Sequence, residues 1–198
     1  MTKHDIPEAL RVLKAGGLII YPTDTLYALG ADIFNEAAVR SVFHTKKRPF
    51  TIPLPVAVAS VSAMETIAYM NSAAFALGHR FLPGTLTIIL KKKPAIPPIV
   101  TSGQDSIGLR IPNNPVALDL LARFGPLTVT SANLHSEKTL GVISDIRMQL
   151  GTPHLLGLDD GRLTGQPSTT VDLTVSPPRV VRRGPITEAQ ILEVIAHG

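Results

Sequence analysis

The chain has no cysteine and no tryptophan, and aromatic residues fill only 5% of its 198 positions. Without cysteine there can be no disulfides, thiolate metal sites or cysteine nucleophiles. The scarcity of aromatics argues against a base-stacking platform for single-stranded nucleic acid. No apolar run reaches the roughly 18–20 residues that span a bilayer. The opening Met1-Thr2-Lys3-His4-Asp5-Ile6-Pro7 lacks the apolar centre of a signal peptide, so a cytoplasmic protein without membrane contact is expected. Also missing are a Gly-x-x-x-x-Gly-Lys phosphate loop, a Gly-x-Gly-x-x-Gly fingerprint and a Gly-x-Ser-x-Gly nucleophile elbow. The histidines, at 4, 44, 79, 135, 154 and 197, show no metal-ligand spacing, so no protein metal site is expected. A nucleotide enzyme built this way must hold phosphates with side chains and strand-end loops.

With 44% hydrophobic and 17% charged residues, the composition is that of a globular chain. The length suits one domain with a sizeable core. No repeat, low-complexity tract or composition shift divides it, so residues 1–198 are expected to form a single domain. A net charge of +4 is compatible with an anionic ligand or nucleic acid and demands neither.

Asp5, with Pro7 in the first turn and Gly16-Gly17 as the stop, predicts a first helix. Leu18 to Tyr21 reads as a buried strand broken by Pro22. Asn35, Ser62, Asn71, Asn114, Ser144 and Thr187 are the expected helix caps. Strands are predicted at Leu54–Ala59, Leu86–Leu90, Ile107–Ile111, Leu127–Thr130, Leu155–Leu158, Val171–Leu173 and Val180–Val181. This irregular alternation predicts an α/β fold with a mixed sheet.

Several polar groups sit at strand ends, where ligands of open α/β sheets collect. Thr23-Asp24-Thr25 follows the first strand; it can orient a small polar substrate or simply satisfy its own turn. In Lys46-Lys47-Arg48-Pro49, Arg48 offers a planar fork of donors and Lys46 a movable point charge, the residue types of an anion pocket or of a solvated charge run. Ser131-x-Asn133 is a hydrogen-bonding pair or a turn. Arg110 lies inside an apolar strand and needs a partner: Asp105, Asp119, another carboxylate, or the carboxylate of a ligand. Ser168-Thr169-Thr170 and Arg182-Arg183 raise the same choice.

These segments occur together with Tyr27-Ala28-Leu29-Gly30, Pro53-Leu54, Pro83-Gly84-Thr85-Leu86-Thr87 and Leu109-Arg110-Ile111-Pro112. In order and spacing, from about Gly16 to Gly184, they resemble the Sua5/YciO/YrdC family. The resemblance implies a twisted, mixed open sheet with flanking helices and a basic concave cleft. It implies synthesis of L-threonylcarbamoyladenylate from L-threonine, bicarbonate and ATP, with release of pyrophosphate, Mg²⁺ accompanying the triphosphate. The product would serve modification of adenosine 37 in tRNA, either directly or through a threonylcarbamoyl transferase complex. By position, Lys46, Arg48, Ser131 and Asn133 would surround ATP and the reacting carbamate. Thr23, Thr25, Arg110 and Ser168 would contact threonine, and Ser106, Thr139 and Arg182 would contact nucleotide. Ala28 stands where the family often has glycine, and two ligand-contacting side chains are replaced: Ile52 stands for an expected asparagine and Ala57 for a threonine-contacting histidine. The alternatives are a YciO-like nucleotide- or RNA-binding protein with little synthase activity, or a carbamoyl-adenylate enzyme with another acceptor.

Overall fold

In a computed structural model describing residues 5–197, ten strands form two mixed sheets flanked by seven helices. Met1, His4 and Gly198 lie outside the described residues. The first sheet joins β1 (Ile19–Tyr21), β2 (Ala28–Gly30), β7 (Thr130–Ser131) and β8 (Leu156–Gly157) in the order β7-β2-β1-β8. The second joins β3 (Val56–Ala57), β4 (Leu86–Lys91), β5 (Ser106–Arg110), β6 (Leu127–Thr128), β9 (Thr169–Asp172) and β10 (Arg179–Arg182) in the order β10-β9-β4-β5-β3-β6. β1–β8, β3–β5 and β4–β9 are parallel and the other named pairs antiparallel.

Two registers matter for the site. Ala28 pairs with Ser131, which brings Ser131 beside the end of the Thr23–Thr25 loop. Ala57 pairs with Arg110, Thr87 with Thr170, and Thr170 with Arg182, so one end of the second sheet gathers Thr87, Arg110 and Arg182.

The helices are α1 (Ile6–Lys14), α2 (Glu36–Lys46), α3 (Val61–Ile67), α4 (Ser72–Phe81), α5 (Pro115–Phe124), α6 (Ile143–Leu150) and α7 (Glu188–His197). Asp5, Asn35, Asn71 and Asn114 cap as the sequence predicts, each side chain accepting from a first-turn N–H. Thr187 and Gln190 form the reciprocal box that opens α7. Two caps differ. Ser60, not Ser62, caps α3, because its hydroxyl accepts from Ala63 N at 3.1 Å while Ser62 is already helical. α6 starts after Val142 with no side-chain cap, and Ser144 lies within it.

The predicted strand Leu127–Thr130 divides between the sheets. Leu127 and Thr128 pair with β3, whereas Thr130 and Ser131 pair with β2. Thr128 ties the crossing down: its hydroxyl donates to Leu29 O and accepts from Ala31 N. The predicted Leu54–Ala59 strand shortens to two residues, since Pro55 has no N–H and Leu54 N donates to Val100 O in a loop. No described helix is long and apolar enough to cross a membrane.

Candidate active site

The C-terminus of α2 separates the Lys-x-Arg pair. Lys47 ends the helix in the left-handed conformation at φ 50°, with Lys47 N donating to His44 O and Arg48 N to Phe43 O. That reversal sends Lys46 inward and leaves Arg48 half-buried at a cavity wall.

Lys46, expected from sequence as a movable cation in the cleft, is instead 1% exposed and does not line the cavity. Its ammonium donates to the main-chain carbonyls of Ser131 and Asn133, the latter at 2.5 Å. The inward placement has a physical cause: a lysine on the last turn of a helix, facing a strand end with two inward carbonyls, satisfies them at close range. Asn133 is also inward. Its Oδ1 accepts from the Ser131 hydroxyl at 2.5 Å, and its amide donates to Leu134 O and Glu137 O at 2.8 Å. Lys46 and Asn133 therefore clasp the 131–137 segment, and of the Ser131–Asn133 pair only Ser131 reaches the cavity.

Burial, with the Arg48 charge adding to it, pulls the Lys46 ammonium from its ordinary 10.5 down to about 7. Below that value the folded and unfolded chains both hold the proton, and the folded chain carries the burial penalty in full. Between about 7 and 10.5 the folded chain has released a proton that the unfolded chain keeps, so this group makes stability rise with pH. The urea midpoint of wild type is expected to increase from about pH 6.5 to about pH 9 relative to that of Lys46→Met. Parallel midpoints for the two proteins would contradict the assignment.

A cavity of about 170 Å³ is lined by Thr23, Thr25, Arg48, Thr87, Arg110, Ser131, Thr139, Ser168 and Arg182, among others. A second, of about 350 Å³, adjoins it and shares Arg48, Pro55, Thr87 and Arg182. Its remaining wall is mainly apolar, with Ile52, Leu54, Ile89 and Val181, and carries Ser106 at one side. Ser106 thus stands apart from the small cavity. It also borders a separate hollow with Tyr69 and Lys91.

Arg110 finds its partner in Asp24, at 2.6 Å from Nη2 to Oδ1. Of the carboxylates named from sequence, Asp119 is instead paired with Arg123 at 3.0 Å. Arg110 Nη1 also donates to Thr25 Oγ1 at 3.2 Å. Arg48 holds the following loop through Ile52 O and Pro53 O, and Arg182 holds Ser168 through its main-chain oxygen and its hydroxyl. Burial disfavours all three guanidinium charges, and the nearby Arg110 adds to the effect on Arg182. Asp24 answers only Arg110. Arg48 and Arg182, at the junction of the two cavities, have no carboxylate partner among the described residues, so an anion arriving there relieves an electrostatic cost.

A strap crosses the site. Gly165 N donates to Thr25 O, and a Cβ at Gly165 would come within 2.3 Å of that oxygen, so only glycine permits the approach. Tyr27 anchors the strap's start, donating to Gly161 O at 2.7 Å and accepting from Asp160 N at 2.9 Å. Burial, with the carboxylates of Asp159 and Asp160 nearby, pushes its phenol up to about 12, against the hydrogen bond from Asp160.

The Sua5_yciO_yrdC family model, described as "Telomere recombination", matches residues 11–184. The chain belongs to the Sua5/YciO/YrdC family. It is 35% identical over 195 residues to the threonylcarbamoyl-AMP synthase of Bacillus subtilis, covering 96% of this chain and 56% of that protein. The Pyrococcus abyssi Sua5 crystal structure complexed with L-threonine superposes with TM-score 0.88 at 33% identity, over 96% of this chain and 57% of that one. The present chain thus spans about half the length of both. Escherichia coli YciO superposes with TM-score 0.86 at 31% identity, and there 92% of the other chain is covered.

Against this family frame, the two replaced side chains take different places. Ile52 lines the larger cavity and lends its carbonyl to Arg48. Ala57 is fully buried in β3, in a core cluster with Tyr21, Ala28 and Val129, and lines neither cavity. Sequence reasoning gives no site role to Thr87, which lines the small cavity, and does not join Asp24 to Arg110. The available signal at Thr87 was a polar residue between Leu86 and Ile88 in an otherwise apolar run.

Proposed function

We propose that this family member is a nucleotidyltransferase making L-threonylcarbamoyladenylate from L-threonine, bicarbonate and ATP, in service of N6-threonylcarbamoylation of adenosine 37 in tRNA. The observation that carries this reading is the pair of Arg48 and Arg182, without carboxylate partners, between a small hydroxyl-lined cavity and a larger apolar one. Phosphates suit the junction, a nucleoside the larger space with Ser106, and a small amino acid the cavity of Thr25, Arg110 and Ser168. The similarity to a Sua5 crystallised with L-threonine supports the amino-acid side of the assignment.

Condensation of the threonine amine with bicarbonate, losing water, gives a carbamate. A carbamate oxygen then attacks the α-phosphorus of ATP, brought as its Mg²⁺ complex, and the bond to the β-phosphate oxygen breaks to release pyrophosphate. Such a transfer requires positioning and charge neutralisation, not a side-chain nucleophile. A guanidinium about 4 Å from a phosphate oxygen in a partly screened cleft gains roughly 4 kcal/mol of gross attraction. Arg48 and Arg182 therefore supply a substantial share before desolvation is subtracted. Thr139 lines the small cavity at its rim, where the nucleotide contact expected of it would have to reach, and Thr23 braces Thr25. The product is an acyl phosphate, which must be passed on to a transferase or directly to tRNA.

Purified protein given ATP, bicarbonate and threonine is expected to release pyrophosphate only when all three are present. Pyrophosphate release that ignores threonine favours a carbamoyl-adenylate enzyme with another acceptor. Nucleotide or RNA binding with no release favours the YciO-like reading, for which the burial of Ala57 and the similarity to E. coli YciO speak.

A further inference from the structure

Gly30, Gly108 and Gly157 lie within the described strands, and two of them have an evident reason in the protein. An added Cβ would come within 2.8 Å of the Tyr21 ring at Gly30 in β2, and within 2.7 Å of the Ile143 side chain at Gly157 in β8. Gly108, in β5, is different. It has ordinary strand backbone without a positive φ. An added Cβ there would meet Thr87 Cγ2 at 3.4 Å, Pro55 Cβ at 3.8 Å and Ile89 Cγ1 at 3.9 Å, all ordinary van der Waals contacts with side chains.

Glycine weakens a strand interior, because it loses more chain entropy on folding and packs nothing. β5 lies between β4 and β3, so that cost falls inside the second sheet. Neither backbone conformation nor packing requires glycine at this position. What remains is the space above it. Ile107 and Leu109 are buried in the core, whereas Gly108 between them is half-buried and lines the larger cavity.

The floor this makes has a definite shape. Main-chain N–H and C=O groups of a sheet point along its plane toward neighbouring strands, so the face over Gly108 is bare peptide surface. Pro55 and Ile89 flank it with apolar side chains, and Ser106, two residues away on the same face, adds a hydroxyl. Arg48 and Arg182 stand where this cavity meets the small one. A flat, largely apolar ring with an anionic tail fits that layout.

We propose that Gly108 is a specificity-determining residue of the larger cavity: its missing side chain lets the nucleoside ring of ATP lie flat on β5 while the phosphates reach Arg48 and Arg182. This rests on the nucleotide part of the function proposed above.

The test compares two ligands on three proteins. ATP and tripolyphosphate, which has phosphates but no ring, are titrated by calorimetry into wild type, Gly108→Ala and Gly108→Val. ATP is expected to weaken about tenfold in Gly108→Val, whose added carbons occupy the ring's place, and about threefold in Gly108→Ala. Tripolyphosphate is expected to bind all three proteins alike. The urea midpoint of Gly108→Ala is expected to equal or exceed that of wild type, since alanine adopts this backbone without strain and restricts the unfolded chain. A glycine with a merely structural role would not lose ATP selectively in a protein of undiminished stability. If Gly108→Val lowers the midpoint, Gly108→Ala decides. Equal weakening of both ligands, or unchanged ATP affinity, overturns the proposal. Wild type that binds ATP without threonine-dependent pyrophosphate release removes the synthase reading and leaves Gly108 to be judged by the ligand ratio. Turnover with an ATP KM indifferent to both substitutions does the opposite, and wild type that binds no ATP overturns both.

Discussion

Lys46→Ala is expected to lower the stability of the fold by about 3–5 kcal/mol and to remove activity as a consequence. Two costs add. The buried stem leaves a cavity at the end of α2, and the carbonyls of Ser131 and Asn133 lose their donor without gaining access to water. Lys46→Met separates the two, since it keeps most of the volume and removes only the donor. It is expected to lose about 1–3 kcal/mol, the cost of the orphaned carbonyls alone. Urea denaturation followed by circular dichroism measures both. A Lys46→Ala protein with the wild-type midpoint and slope would show that the clasp on the 131–137 segment carries no stability.

Arg48→Ala is expected to behave in the opposite way, with turnover falling by about 10²–10³-fold at little change in fold. Arg48 is half-buried and its bonds to Ile52 O and Pro53 O hold one surface loop, so a stability loss of about 1–2 kcal/mol is expected. Its larger role is at the junction of the cavities, where phosphate charge would change during transfer. Arg48→Lys is expected not to recover the rate, because an ammonium cannot bond both loop carbonyls and an anion with the geometry of a guanidinium. Steady-state pyrophosphate release, with urea midpoints measured alongside, checks both variants. Turnover near wild type in Arg48→Ala would move the phosphate site elsewhere.

The contrast between these neighbours shows where sequence reading stops. As residue types, Lys46 and Arg48 are both cations two positions apart, and spacing alone gives them a common fate. One left-handed residue, Lys47, separates them into a buried clasp and a cavity wall. Lysine adopts that conformation at an energetic cost, and it carries no sequence mark as glycine would. The run Leu127–Thr130 poses a similar difficulty. Its apolar and β-branched character indicates a strand, but which sheet each end joins depends on partners far away in the chain. Caps set by a side chain three residues away were readable at Asp5, Asn35, Asn71 and Asn114, where one local bond decides. At α3 two serines two positions apart offered equal local choices, and α6 begins after Val142 although Ser144 is the better capping residue type.

By itself the sequence determined the α/β class, most elements and the family, because these follow from local hydrogen bonding, hydrophobic periodicity and ordered motifs. It also singled out Arg110, since a guanidinium inside an apolar strand must have an anionic or polar partner, while Arg48 and Arg182 were picked out by the ordered motifs. Only the tertiary structure decided what those partners are. It gave Asp24 to Arg110, Ser168 to Arg182 and the main chain of Ser131 and Asn133 to Lys46. The reason is that hydrogen bonds and ion pairs act over about 3 Å. Contacts that short, between residues some 14 to 87 positions apart, exist only once the two sheets have brought their strand ends together.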